Sequence, residues 1–186
     1  MKQLLCTLLI ILLVFSFCAC GKPTTKAPPL ENVPSEIHSA SSLTVSEVSD
    51  SVEAMMLGYH LIVKTSSGYT SSIADAPTAL QAHDSVPALN IQPTPFSHRA
   101  PFEASLIFSV VPESVRVRCW EKSLWTDDDA ENKAETLTAT KDPDGSFTVK
   151  LKEGEYLYEV YVQWPSAAEL SGSAYYTFKS TSAIYE

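Results

Sequence analysis

From Gly58 onward, apolar side chains fall on every second position. "HLIVKT" sets Leu61, Val63 and Thr65 against Ile62 and Lys64, and "ASLIFSVV" lines up Leu106, Phe108 and Val110. "SFTVKLKEGEYLYEVYVQW" alternates twice. Phe147, Val149 and Leu151 oppose Thr148, Lys150 and Lys152; then Tyr156, Tyr158, Val160, Val162 and Trp164 oppose Leu157, Glu159, Tyr161 and Gln163. "AYYTFKS" closes the series. A period of two is the side-chain repeat of a strand with one face in the core. The turn residues "KEGE" predict a hairpin between the last two runs, and "KDPDG" supplies another turn. Such strands and turns predict an all-β fold, an antiparallel sandwich with one solvated face per sheet over residues 51–180, with a tail at 181–186.

Upstream the pattern changes. Residues 21–50 are dense in Pro, Ser and Thr and contain no aromatic residue. Such a stretch buries too little apolar surface to offset its chain entropy, so residues 20–50 are expected to form a disordered tether. Thr44 and Glu47 have the spacing of a capping box. Val45, Val48, Val52, Met55 and Met56 then recur at helical intervals, predicting one short helix over Val45–Leu57. Residues 74–101 hold five prolines and no long periodic run. They are expected to be an irregular connection with one short strand near Val86–Ile91. A loop this long is either functional or hides an element.

The first nineteen residues carry an address. Met1-Lys2 is followed by an apolar run from Leu4 to Phe17 and the small-residue site Cys18-Ala19-Cys20. At 1.5 Å per residue, Leu4–Cys20 covers roughly 25 Å, short of the ~30 Å hydrocarbon core. Gly21-Lys22-Pro23 then breaks the helix. This pattern resembles the bacterial lipoprotein signal, a small residue preceding a cysteine. The resemblance implies that residues 1–19 are removed and that Cys20 carries a diacylglyceryl group, with palmitate as a typical acyl chain. The mature chain is then expected on the extracytoplasmic face of the cell membrane.

Charge and cysteine count narrow the partners. The chain carries a net charge of −9, which becomes −10 when Lys2 leaves with the leader. Such a chain repels phosphate backbones, which argues against nucleic acid, and it offers no basic stripe for lipid headgroups. After loss of Cys6 and Cys18 and acylation of Cys20, Cys119 alone remains, so no disulfide is expected in the mature chain. In "SVRVRCWEK", Val115, Val117 and Cys119 alternate with Arg116, Arg118 and Trp120. This placement predicts a buried thiol behaving as a small hydrophobe.

Catalytic and metal motifs are sparse. His38, His60, His83 and His98 show no ligand spacing, and no zinc motif is present. No nucleophile elbow, Ser-x-x-Lys pair or phosphate-cradling glycine loop is found either. No catalytic residue, metal or cofactor is therefore expected. His83 and Asp84 could pair a base with its carboxylate, but neighbours on an extended loop point apart. Asp127, Asp128, Asp129 and Glu131 share one loop and could supply three or four of the oxygens calcium needs. They lack the glycine and spacing of an EF-hand. A secreted hydrolase or a calcium-dependent module using residues 127–131 is the alternative to a binding module. Trp120, Trp125, Trp164, Tyr156, Tyr158, Tyr161, Tyr175 and Tyr176 crowd the last third, and alternation turns half of them outward as a candidate recognition face.

Pro112, Ser114, Val115 and Trp120, then Tyr156, Tyr158 and Trp164, then Ser173-Ala174-Tyr175-Tyr176-Thr177-Phe178 resemble the immunoglobulin-like ectodomain of lipoproteins and membrane sensor peptidases of clostridial-type bacteria. The likeness spans Leu106–Lys179 and consists mainly of packing positions. It implies an immunoglobulin-like β-sandwich that recognises a protein, peptide or cell-wall ligand, with no catalytic residue to transfer.

Overall fold

The structure is a computed structural model that describes residues 41–48, 50–75, 77–91, 102–166 and 169–182. The leader, Cys20 and most of the tether lie outside these residues. The elements in chain order are β1 (Leu43–Ser46), β2 (Ser51–Glu53), β3 (Met55–Thr65), β4 (Gly68–Ala74), α1 (Ala79–Ala82), β5 (Ala88–Ile91), β6 (Phe102–Phe108), β7 (Ser114–Glu121), β8 (Glu135–Leu137), β9 (Ala139–Lys141), β10 (Phe147–Leu151), β11 (Glu155–Trp164) and β12 (Leu170–Ser182). One sheet has the order β2-β1-β6-β10-β9. The other runs β4-β3-β12-β11-β7-β8, with β5 also paired to β12. All pairings are antiparallel except β5 with β12, where Lys179–Ser182 meet Ala88–Ile91.

The central orders, β1-β6-β10-β9 and β12-β11-β7-β8, follow the ABED and GFCC′ arrangement of an immunoglobulin sandwich. The expected all-β, immunoglobulin-like sandwich is thus the observed architecture. One departure enlarges it. Between β1 and β5 the chain inserts the β3–β4 hairpin and α1, and the hairpin extends the larger sheet beyond β12.

Two local expectations are corrected. Val45–Leu57 is not a helix; the short helix is α1, capped by Thr78, whose side chain accepts from the Gln81 amide. Leu43 and Val45 alternate with Thr44 and Ser46 and are fully buried, so the period-two pattern wins over the capping-box spacing. The β-branched Val and Thr favour the pleated conformation. Glu47 and Asp50 close a turn through mutual backbone hydrogen bonds, so β1 lies within the stretch read as tether. The "KEGE" segment is not a hairpin turn either. β10 pairs with β6 and β9, whereas β11 pairs with β12 and β7, so residues 152–154 cross from one sheet to the other. Both flanking runs carry full apolar faces, which only opposing sheets can bury against each other. The Tyr158 hydroxyl fixes the crossing by accepting from the Lys152 amide at 2.9 Å, the arrangement of a tyrosine corner.

The main core lies between the sheets. Tyr158 stacks on Phe178 at 4.7 Å and nearly parallel, while Phe108 meets Phe147 and Tyr176 edge-on. Cys119 is buried in this core as expected, and burial pushes its thiol up to about 12. A second cluster covers part of the outer face of the larger sheet, where Trp120 and Leu157 pack under Ala79, Ala82, Val86 and Ala130. Trp120 donates its indole N–H to the Ala130 carbonyl at 2.8 Å, tying the β7–β8 loop onto the sheet. Of the region 74–101, the described part holds α1, a 3-10 turn and β5, so it contained an element in addition to the expected strand.

A candidate binding cleft on the outer face

The outer cluster covers only one end of the larger sheet, and a cleft of about 470 Å³ opens beside it. Strand irregularity creates it. β3 and β12 shift register between Tyr175 and Tyr176, so Gly58 faces Tyr175 while Met56 faces Tyr176. Leu57 is the extra residue, and it enters the outer cluster while its neighbours Met56 and Tyr59 enter the main core. Gly58 has no side chain to cover the Tyr175 ring. Space is left there, walled by Ile73 and Ala74 of β4 and by Pro77 and Thr78 at the approach to α1.

Tyr175 of the lining continues into a cross-strand ladder beside the cleft. Tyr175 pairs with Tyr161 and Tyr161 with Arg116. The two rings lie 4.7 Å apart, and the Arg116 guanidinium carbon sits 5.1 Å from the Tyr161 centroid, within cation–π range. The next ladder sets Glu159 beside Arg118. Arg118 donates from Nε at 3.1 Å and from Nη2 at 2.8 Å to the same Glu159 oxygen, and Nη2 also reaches Glu131 at 3.4 Å. The Glu159 side chain is only 6 % exposed and that of Arg118 28 %. Withdrawing a carboxylate this far from water is costly without a partner, and the adjacent Arg118 guanidinium supplies one. The cleft therefore combines a half-exposed aromatic wall with a fixed ion pair and a wet rim carrying His60, Asp75 and Glu131.

Sequence-level candidates are scattered relative to this site. His83 and Asp84 do not point apart on an extended loop. They occupy a 3-10 turn, with His83 Nε2 3.3 Å from Asp84. His83 Nδ1 donates to the Leu80 carbonyl at 2.7 Å and its ring tilts over Trp125. Both ring nitrogens thus have local partners, and the ring itself joins this turn to Trp125 of the outer cluster. In the acidic loop the carboxylates turn to internal partners. Asp127 accepts from Lys133 at 2.7 Å and from the Asp129 amide, Asp129 accepts from Asn132, and Glu131 meets Arg118. The Lys133 bond, with the Asp129 amide, holds the Asp127 carboxyl below its ordinary value. Among the described residues no group of three or more His, Cys, Asp or Glu is placed to hold a metal ion.

The aromatic inventory divides sharply. Trp120, Trp164, Tyr158 and Tyr176 are buried, and Tyr156 and Trp125 are half-buried. Tyr175 and, less openly, Tyr161 form the outward pair. Alternation predicted that half of the eight aromatics face outward without saying which, and Arg118–Glu159 was missed. Their only trace in sequence is a charged residue recurring on the second face of two otherwise apolar strands, and their pairing needs the strand register. Comparison with known protein families, with characterised proteins and with solved structures finds no match for the chain.

Proposed function

We propose that this protein is a lipid-anchored extracytoplasmic binding module. Cys20 holds a diacylglyceryl group in the membrane, the Pro/Ser/Thr-rich segment is the tether, and the outer-face cleft binds a protein, peptide or cell-wall ligand without transforming it. The observation that carries the reading is the cleft itself, lined by the half-exposed Tyr175, which rests on Tyr161, and by the partly buried Arg118–Glu159 ion pair. Concave, partly apolar sites with a few convergent polar groups are the usual form of a ligand pocket. Glu159 inside the cleft and Glu131 at its rim are both committed to Arg118, which suits orientation of a ligand better than proton transfer. An apolar or sugar face would pack on Tyr175, and a ligand carboxylate or carbonyl would take the remaining guanidinium donors.

Two measurements test it. Mass spectrometry of the native protein is expected to find an acylated amino terminus at Cys20, and an intact leader would overturn the anchor. Calorimetric titration of the full chain with soluble peptidoglycan fragments and with a panel of extended peptides is expected to show binding. Tyr175→Ser should weaken it about tenfold or more while leaving thermal unfolding unchanged. Equal affinity in that variant would place the ligand elsewhere.

A further inference from the structure

Among the described residues the larger sheet ends in an edge that lacks the usual protections. β4 spans seven residues, "GYTSSIA", whereas the other terminal strands, β2, β8 and β9, have three each and β5 has four. Natural edges are shortened, charged, bulged or given a proline. β4 carries none of these devices, since it has no charge and no proline and pairs with β3 without a register shift. Two of its side chains are among the most exposed large hydrophobic residues described, Tyr69 at 73 % and Ile73 at 68 %.

The strand's backbone polarity follows from its turn. Thr65 and Gly68 are partners across the two-residue connection Ser66-Ser67, so their N–H and C=O groups face each other. By alternation, Thr70, Ser72 and Ala74 also direct their backbone groups at β3. Tyr69, Ser71 and Ile73 direct theirs at the open edge. These three side chains all stand on the outer face, with Ser71 at the centre and the two exposed apolar residues at equal distances from it.

We propose that β4 pairs antiparallel with β4 of a second copy of this chain, about a two-fold axis through Ser71, joining the two larger sheets into one. In that register Ser71 faces its own copy and Tyr69 faces Ile73 of the other chain on both sides of the axis. About six new N–H···O bonds satisfy the free edge, and two aromatic–β-branched cross-strand pairs cover the exposed apolar side chains. Charge favours the same occupant. In a chain of net charge −9, β4 is a neutral stretch. The antiparallel arrangement sets Asp75, just past β4, toward the Lys64 end of the partner copy, so the flanking charges are opposite in sign. A seven-residue strand is only about 23 Å long. The contact therefore stays below the roughly 1,200 Å² that marks weak, transient association, and the dimer is concentration-dependent. Isologous pairing of this kind closes on itself and leaves no further edge for a third copy.

The proposal is separate from the reading of the cleft, although Ile73 borders both. Its test is sedimentation equilibrium of the full chain in density-matched detergent micelles, up to ~100 µM, where a contact of this size becomes populated. The native chain is expected to show a reversible monomer–dimer equilibrium. Ser71→Pro removes an N–H that points only at the open edge, and Ser71→Glu sets two carboxylates face to face on the axis. Each should weaken association about tenfold or more, with unchanged circular dichroism and melting. Tyr175→Ser, which alters the cleft, should dimerise like the native chain. A native chain that stays monomeric throughout, or Ser71 variants that associate as tightly as native, would overturn the proposal.

Discussion

Arg118 and Glu159 offer the sharpest test of the site's energetics. Arg118→Met removes both donors to the Glu159 oxygen, at 2.8 and 3.1 Å, together with the guanidinium that stands 5.0 Å from the Trp120 ring centre, while keeping most of the apolar stem. It strands a carboxylate whose side chain is 6 % exposed. Loss of one partner of a buried pair costs about 3–5 kcal/mol. The 28 % exposure of Arg118 lets water reach the vacated position, so the expected cost is at the lower end, ~3 kcal/mol. Glu159→Leu leaves the better-exposed partner, which retains Glu131, and should cost about 1–2 kcal/mol. The double variant replaces the pair by apolar groups of similar size and should lie within ~1 kcal/mol of the native protein. Urea unfolding of the four proteins, followed by tryptophan fluorescence with a common m-value, gives the cycle. The single effects sum to about 4–5 kcal/mol against at most ~1 for the double variant, so a coupling energy of at least ~3 kcal/mol is expected. Additivity of the single effects within about 0.5 kcal/mol would refute a buried, mutually dependent pair.

Gly172 adopts φ +113°, and a Cβ there would sit 2.0 Å from the His60 carbonyl oxygen, so Gly172→Ala should separate β12 from β3 and cost ~3 kcal/mol or more in thermal unfolding. Retained stability would show that this approach is not as close as described. The Cys119 thiol, raised to about 12 mainly by burial, is about one part in ten thousand thiolate at pH 8. Peptide mapping after iodoacetamide treatment at pH 8 should therefore find Cys119 unmodified until denaturant is added. Because the folded thiol ionises at higher pH than the unfolded one, its contribution to stability is intact below about pH 9 and is lost as pH rises toward 12.

Where period-two alternation was strong, the sequence led directly to the fold. Leu61 and Val63 of β3, Leu106 and Phe108 of β6, and Phe147, Val149 and Leu151 of β10 all face the core. Alternation also turned Cys119 inward and Arg118 and Trp120 outward. It failed where local and tertiary signals competed. Thr44 and Glu47 have helix-start spacing, yet Leu43 and Val45 gain more by complete burial against β6 than an isolated short helix could return. "KEGE" has good turn chemistry, but turn chemistry does not say whether the next strand pairs beside the last or crosses the core. The cleft was least legible. It depends on a bulge that places Gly58 opposite Tyr175, and on a register that sets Arg118 beside Glu159 across 41 residues of sequence. Neither follows from the local pattern of either strand.

The N-terminal strand also decides how the protein bears mechanical load. The Tyr176 hydroxyl donates to the Ser41 carbonyl, the Ser109 amide to the Ser42 carbonyl and the Ala54 amide to that of Leu43, before β1 pairs with β6 and β2 on its two sides. Tension applied at Ser41 along the axis of β1 would act perpendicular to its ladder bonds. They are sheared together rather than peeled one at a time, and the two sheets share the strain through Tyr176 of β12. A pull applied there would have to break several bonds at once before strain reached the far sheet that carries the cleft.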